Sequence, residues 1–171
     1  MPVANEKLRE AAFFLELFQV AEQHDDPFTS GATQDEEASY LFGAILGSFY
    51  AALYQWHRQT RNNRAYQAFK LAHPEVHGST EQGGLRSLTV HRRHVAMSKR
   101  ATAQLTGAEA NQMAQLSSTL VEPVFYPAGA VVHVARYYVQ FRGAELAAHA
   151  FCSTHHETLQ QLLVSHDPPT A

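Results

Sequence analysis

Between Ala38 and Trp56 the chain carries no formal charge, and this stretch constrains the fold more than any other. It approaches the length of a membrane span. Ser39, Ser48, Gln55, Tyr40, Tyr50, Tyr54, Gly43 and Gly47 interrupt it, however. An apolar helix spotted with polar groups fits the centre of a bundle better than a bilayer. Its start is marked by Thr33 and Glu36 at capping-box spacing, with Asp35, Glu36 and Glu37 placing negative charge in the first turn. The spacing predicts a helix from Gln34 to Arg61, roughly 40 Å long. Leu41, Ile45, Phe49 (or Ser48), Ala52, Leu53 and Trp56 form one apolar face, and Phe42, Leu46, Tyr50 and Tyr54 extend it around the rod. Gly43 and Gly47 admit close approach of another helix. Contacts on several sides are expected, some of them in a homodimer seam.

The remaining elements arrange themselves around this rod. Leu8, Ala11, Ala12, Leu15 and Phe18 recur at helical spacing and predict a first helix from Lys7 to about His24, ended by Asp25-Asp26-Pro27. A shorter helix over Arg64–Ala72 ends at His73-Pro74, and a glycine-rich loop follows. Leu85 to about Lys99 reads as a further helix, with Leu88, Val95 and Val90 facing inward. Thr106 and Glu109 suggest a short helix near Ala108–Leu116. Residues 121–126, 130–142 and 144–150 are rich in β-branched and aromatic side chains and predict antiparallel strands. A last helix over about Ser153–Ser165 buries Leu159, Leu162 and Leu163, and Asp167-Pro168-Pro169 reads as a tail. The fold class is mainly α (α+β): one domain over 1–171, with a helical bundle at about 7–100 and a small C-terminal antiparallel hairpin plus closing helix at about 118–166.

Charge is unevenly distributed. Residues 1–57 hold nine acids and two bases, −7; residues 58–100 hold nine bases and two acids, +7; residues 101–171 hold five acids and two bases, −3. A net −3 argues against general affinity for nucleic acid, but the local basic stretch can meet a phosphate backbone. It can equally neutralise the acidic first segment, within the fold or across a dimer. A single cysteine, Cys152, excludes an internal disulfide. The first residues lack a signal-peptide pattern, so a cytoplasmic protein with no membrane association is expected.

The densest basic run is Arg86-Ser-Leu-Thr-Val-His-Arg-Arg-His94. Arginine can hold a phosphate and offset its developing charge, and histidine can move a proton near neutral pH. Arg86 and His91 are the candidate catalytic pair. Ser87, four before His91, shares its helix face and can orient the imidazole. Arg92 and Arg93 suit phosphate contact, and His94 can support His91. Each is also an ordinary residue for a solvated helix face. On a regular helix Arg86 and His91 project about 140° apart, so a site using both is more easily assembled from two copies.

Eleven histidines raise the question of a metal. His91 with His94, His73 with His77, and the adjacent His155 and His156 are the candidate pairs. Pro74 interrupts the 73–77 pair, and no carboxylate joins them in a recognised zinc pattern. No metal and no cofactor are predicted. Cys152 reads as a buried apolar thiol rather than a nucleophile. Tyr137, Tyr138 and Phe141 can stack bases on an exposed sheet, but their alternation with Val139 more simply indicates a hairpin with one face on the bundle.

Ala12-Phe13-Phe14-Leu15 in a first helix, Tyr40-Leu41 and Ala44 leading into a long helix ending Leu53-Tyr54-Gln55, and then Arg86-x4-His91 together resemble the HEPN superfamily of helical domains. The C-terminal part, with Tyr137-Tyr138-Val-Gln-Phe141 and Cys152 before His155-His156, is similar to an extension in uncharacterised HEPN-like proteins. The resemblance covers most of residues 7–100 and the remainder more loosely. It departs from the family at Ser87, where nuclease members often carry Asn, Asp or His. What the resemblance implies is a metal-independent endoribonuclease or RNA-binding protein of a toxin or defence system, acting as a homodimer. Arg86 and His91 would lie at the dimer seam, and a neutralising or regulatory protein would be a further partner. A noncatalytic HEPN-like interaction or scaffold protein is the alternative.

Overall fold

A computed structural model describes residues 3–24, 26–91, 95–116 and 125–165, with the backbone alone described at 90, 91 and 113–116. Its first half is helical: α1 (Val3–Gln23), α2 (Gln34–Thr60), α3 (Asn63–Ala72), α4 (Pro74–His77) and α5 (Leu85–His91). Strand β1 (Met97–Thr106), helix α6 (Gly107–Leu116), strands β2 (Val131–Phe141) and β3 (Ala144–Ala147), and helix α7 (Ala148–Ser165) follow. The fold is mainly α with a small antiparallel sheet and a closing helix, as the sequence predicts.

Helix α2 begins where its cap places it. Thr33 accepts from the Glu36 amide at 3.3 Å, and the Glu36 carboxylate accepts from the Thr33 amide at 2.7 Å. It ends at Arg61, whose left-handed φ of 54° turns the chain out of the helix. Gln34 reaches the Ala21 carbonyl and Ser48 reaches Glu10. Those pairings run in opposite directions along the two helices, so α1 and α2 form an antiparallel hairpin. The inner surface of α2 is Phe42, Ile45, Leu46, Phe49, Ala52, Leu53 and Trp56, all essentially buried, with Leu41 only partly covered. Leu8, Ala11 and Phe18 from α1 and Cys152, Leu159 and Leu163 from α7 complete the core. Each large apolar side chain buried here contributes on the order of 1.5–3 kcal/mol, whereas a cap contributes about 1 kcal/mol. Packing therefore sets stability, and the cap sets where α2 starts. No helix among the described residues is long and apolar enough to cross a membrane.

The three strands form one sheet in the order β1-β2-β3, antiparallel throughout. Lys99 lies opposite Tyr137 and Thr106 opposite Val131, with a register shift between Ala101 and Ala103. Arg142 and Gly143, both at positive φ, make the two-residue turn between β2 and β3, a geometry that matches the strand twist. Tyr137 and Val139 point into the core while Tyr138 and Gln140 point away from it. Tyr137 packs on Phe18 at 5.9 Å and donates its hydroxyl to Asp35 at 3.0 Å. The sheet is thus a two-faced layer on the bundle, and Tyr137 is inside it.

Several boundaries differ from expectation. Of the helix expected from Leu85 to Lys99, Leu85–His91 is helical, residues 92–94 lie outside the described residues, and Met97–Thr106 is an edge strand. Its sequence has few β-branched residues, and pairing with β2 overrides that local preference. Helix α7 starts at Ala148, shortening the strand expected over 144–150 to Ala144–Ala147 and placing Cys152 inside a helix. Of the strand expected near 121–126, residues 125 and 126 are not in a strand, and 121–124 lie outside the described residues.

Candidate functional site

Two clusters of polar chemistry sit on either side of His77. The first belongs to α5. Its start is fixed by a tight loop: a Cβ on Gly84 would lie 2.3 Å from the Gly78 carbonyl oxygen, so only glycine permits the approach. Ser87 is buried and donates its hydroxyl to that same Gly78 carbonyl at 3.0 Å. Its hydrogen is therefore engaged in holding the loop, while the hydroxyl oxygen keeps its capacity to accept; the expected contact with His91 involves a side chain outside the described residues.

Arg86, one residue earlier, turns onto α2. Its guanidinium carbon lies 3.9 Å from the centre of the Tyr50 ring, and its Nε is buried with no hydrogen-bond partner among the described residues. A guanidinium over a tyrosine face is held by the ring quadrupole. Tyr50 in turn stacks on Tyr54 at 6.5 Å and lies 6.3 Å from His77, ring centre to ring centre. His91 closes α5, but its side chain lies outside the described residues, as do Arg92, Arg93 and His94 entirely.

The basic stretch is partly consumed within the fold. Lys99 donates to the His24 carbonyl at the end of α1 at 2.7 Å, a favourable place for a cation. Arg100 pairs with Glu145 at 2.8 Å. Arg58, Arg61 and Arg64, at the junction of α2 and α3, stay exposed.

The second cluster joins α3 and α4 to α7. Asn62 caps α3 by accepting from the Ala65 amide at 3.1 Å, and Tyr66 stacks on His57 of α2 at 4.3 Å. Phe69 is buried one turn further on. Pro74 then occupies the first turn of a new one-turn helix. Proline suits that position because no intrahelical partner awaits its missing N–H. It therefore does not separate His73 from His77, as the sequence suggests, but folds His73, Glu75 and His77 into one compact turn.

His155 comes down from α7 to meet them. Its Nε2 faces His77 Nε2 at 3.3 Å, and its ring centre lies 5.0 Å from that of His73. His73 Nδ1 lies 3.3 Å from Glu75 Oε1. One potential ligand atom from each of His73, Glu75 and His155 falls within 4.8 Å of the other two. Phe49 and Phe69 pack around His155 at 4.9 and 5.7 Å. His77 is 5% exposed and His155 3%. Burial, followed by the charge of His73 in one case and of His77 in the other, holds both imidazoles far below their ordinary range, His77 down to about 3. They are neutral near pH 7. The Nδ1 of each is buried and has no hydrogen-bond partner among the described residues. His73, Glu75 and His155 also line an open cleft of about 380 Å³, whose other walls include Glu145, Phe151 and Thr154.

The signal for this second cluster was present in the run His73-Pro-Glu-Val-His77, three possible ligands in one short segment. What the sequence does not show is that α7 brings His155 against it. No family model, curated protein or solved structure matches the chain.

Proposed function

We propose that this chain is a HEPN-like protein that binds RNA through the basic surface around α5, with Arg86 making the central phosphate contact. The observation that carries this reading is the position of Arg86. Its guanidinium is held on the Tyr50 ring at 3.9 Å, so little side-chain freedom is lost when an anion arrives at its outer nitrogens. The exposed Arg58, Arg61 and Arg64 add positive charge on neighbouring elements of the same half of the chain. The order of elements, a long central helix followed by a helix bearing Arg-x4-His, agrees with the resemblance.

Binding is the part of this reading that Arg86 alone supports, since its seat on Tyr50 is described and cleavage would also require His91. The test is incubation of the purified chain with labelled RNA in excess chelator. Binding that weakens several-fold in Arg86→Ala, and falls with rising salt, supports the proposal. Metal-free cleavage lost in both Arg86→Ala and His91→Ala would extend it to the nuclease reading. RNA affinity unchanged in Arg86→Ala rejects it.

A second reading, a noncatalytic HEPN-like scaffold assembling through α2, is favoured by a different observation. Tyr40 and Tyr54 are exposed, and a Cβ on Gly47 between them would meet nothing within 4 Å. Sedimentation across a concentration series decides it: a dimer disrupted by Tyr54→Glu supports assembly on this face, and a monomer at all concentrations excludes it.

A further inference from the structure

We propose that His73, Glu75 and His155 form a binding site for a single divalent transition-metal ion of zinc character, with its remaining coordination position open to the adjacent cleft. Three observations converge on it, none of them dependent on the RNA reading.

The first is composition. Two imidazoles and one carboxylate make a donor set suited to zinc and its neighbours, and three protein ligands leave a fourth position for water or for an oxygen donor on a ligand. The second is spacing. Two donor atoms bound to one tetrahedral ion at 2.0–2.1 Å stand about 3.3–3.4 Å apart. His73 Nδ1 and Glu75 Oε1 are already 3.3 Å apart, and one ligand atom from each of His73, Glu75 and His155 lies within 4.8 Å of the other two.

The third observation is the state of the buried nitrogens. Four faces of two buried imidazoles must be accounted for, since an unmet polar atom in an apolar surround costs roughly 1–3 kcal/mol. The only hydrogen bond the described residues offer is the one between His77 Nε2 and His155 Nε2, and Nδ1 of both rings stays unpartnered. A metal ion on His155 meets one of those needs directly. With one nitrogen of His155 on the metal, the other can keep its bond to His77. His77 is then a positioning residue that fixes the tautomer and plane of its neighbour, as metal-bound histidines generally require.

Access also fits. The side chains of His73 and Glu75 are 22% and 20% exposed at the mouth, while His155 forms the floor. The cleft beyond them, of about 380 Å³, admits a hydrated ion or a small oxygen-donor ligand, with Thr154 and Glu145 on its walls.

The experiment uses the full chain, stripped with chelator and titrated with ZnCl2 by calorimetry, and separately with CoCl2 followed by visible absorption. One equivalent of zinc is expected, with a cobalt spectrum of four-coordinate intensity and a thermal midpoint that rises with zinc. His73→Ala and Glu75→Gln sit at the rim of the cleft and leave the core intact; each is expected to weaken binding at least tenfold and to abolish the thermal shift. His77→Gln is expected to weaken it ten- to a hundredfold while keeping the stoichiometry. A wild-type chain that takes up no zinc overturns the proposal. So does zinc uptake that is unaltered in both rim variants, because the ion is then held by other histidines.

Discussion

The backbone N–H of Tyr137 donates to the Glu22 carboxylate at 2.8 Å, so the middle strand of the sheet is tied to the first helix through a buried acid. Burial raises the Glu22 pKa to about 7, against the lowering effects of the Tyr137 amide and of the Arg136 and Lys99 charges. A raised acid pKa means that the folded chain binds a proton the unfolded chain releases. The stabilisation from that proton is complete below the unfolded value of about 4.5 and is lost as pH rises to about 7.

Glu22→Gln should therefore become more stable relative to the unsubstituted chain as pH rises, by up to about 3 kcal/mol between pH 4.5 and pH 8. Glutamine keeps an acceptor for the Tyr137 amide and has no charge to desolvate. Urea melts of both chains at the two pH values measure the difference. Buried His77 and His155 act in the opposite direction on the acid side, but both chains share them, so their effect cancels. A difference between the chains that does not change with pH would show that Glu22 titrates normally.

Cys152 should be inert in the native state. It is fully buried in α7, and burial, then the nearby Glu22 charge, pushes its thiol far above the usual range. A maleimide probe should label it at the rate of global unfolding, with urea accelerating the reaction many-fold. Rapid labelling without denaturant would place the thiol at the surface.

Gly84→Ala and Gly47→Ala should have opposite signs. At Gly84 the new methyl meets the Gly78 backbone at 2.3 Å, and the strain should cost about 1–3 kcal/mol. Because that loop also sets the start of α5, RNA affinity should fall with it. At Gly47, inside α2 and facing open space, alanine should stabilise by about 0.5–1 kcal/mol. Thermal melts check both. A loss at Gly47 would instead mean that a second copy packs on that face.

Thr33→Ala should cost about 1 kcal/mol, because the Glu36 amide loses its side-chain acceptor while the Thr33 amide keeps the Glu36 carboxylate. Chemical denaturation measures the loss, and Thr33→Ser should restore most of it. An alanine variant as stable as the original would show that the reciprocal carboxylate bond suffices.

How much of this was legible depends on how local the determining forces are. The Thr33 cap, the buried face of α2, the Thr106–Glu109 cap of α6 and the two-faced hairpin are written in residues close together in sequence, and their elements appear where the spacing puts them. Strand β1 was not legible: Met-Ser-Lys-Arg-Ala-Thr-Ala-Gln-Leu-Thr has no strand signature, and it is a strand because β2 lies beside it. The candidate sites divide the same way. Arg86 is visible as a charge in a basic run, but its seat on Tyr50 is a tertiary fact. Ser87 could not be assigned to Gly78 without the fold of the loop. Pro74 misled because a proline after a helix reads as a stop, and here it is also a start.

Helix α7 has a further consequence for the making of the protein. His155 reaches His77 across 78 positions of chain, and Leu159, Leu163 and Cys152 of the same helix close the core opened by α1 and α2. While the ribosome is still adding α7, the α1–α2 hairpin has Phe42 and Phe49 in place and nothing to cover them from that side. The core therefore cannot be completed from local contacts alone, and covering that side of Phe42 and Phe49 requires α7, from far along the chain. A chain made only as far as the sheet would leave Phe42 and Phe49 without their α7 neighbours Phe151 and His155, an aromatic surface of the kind that invites chaperones and aggregation.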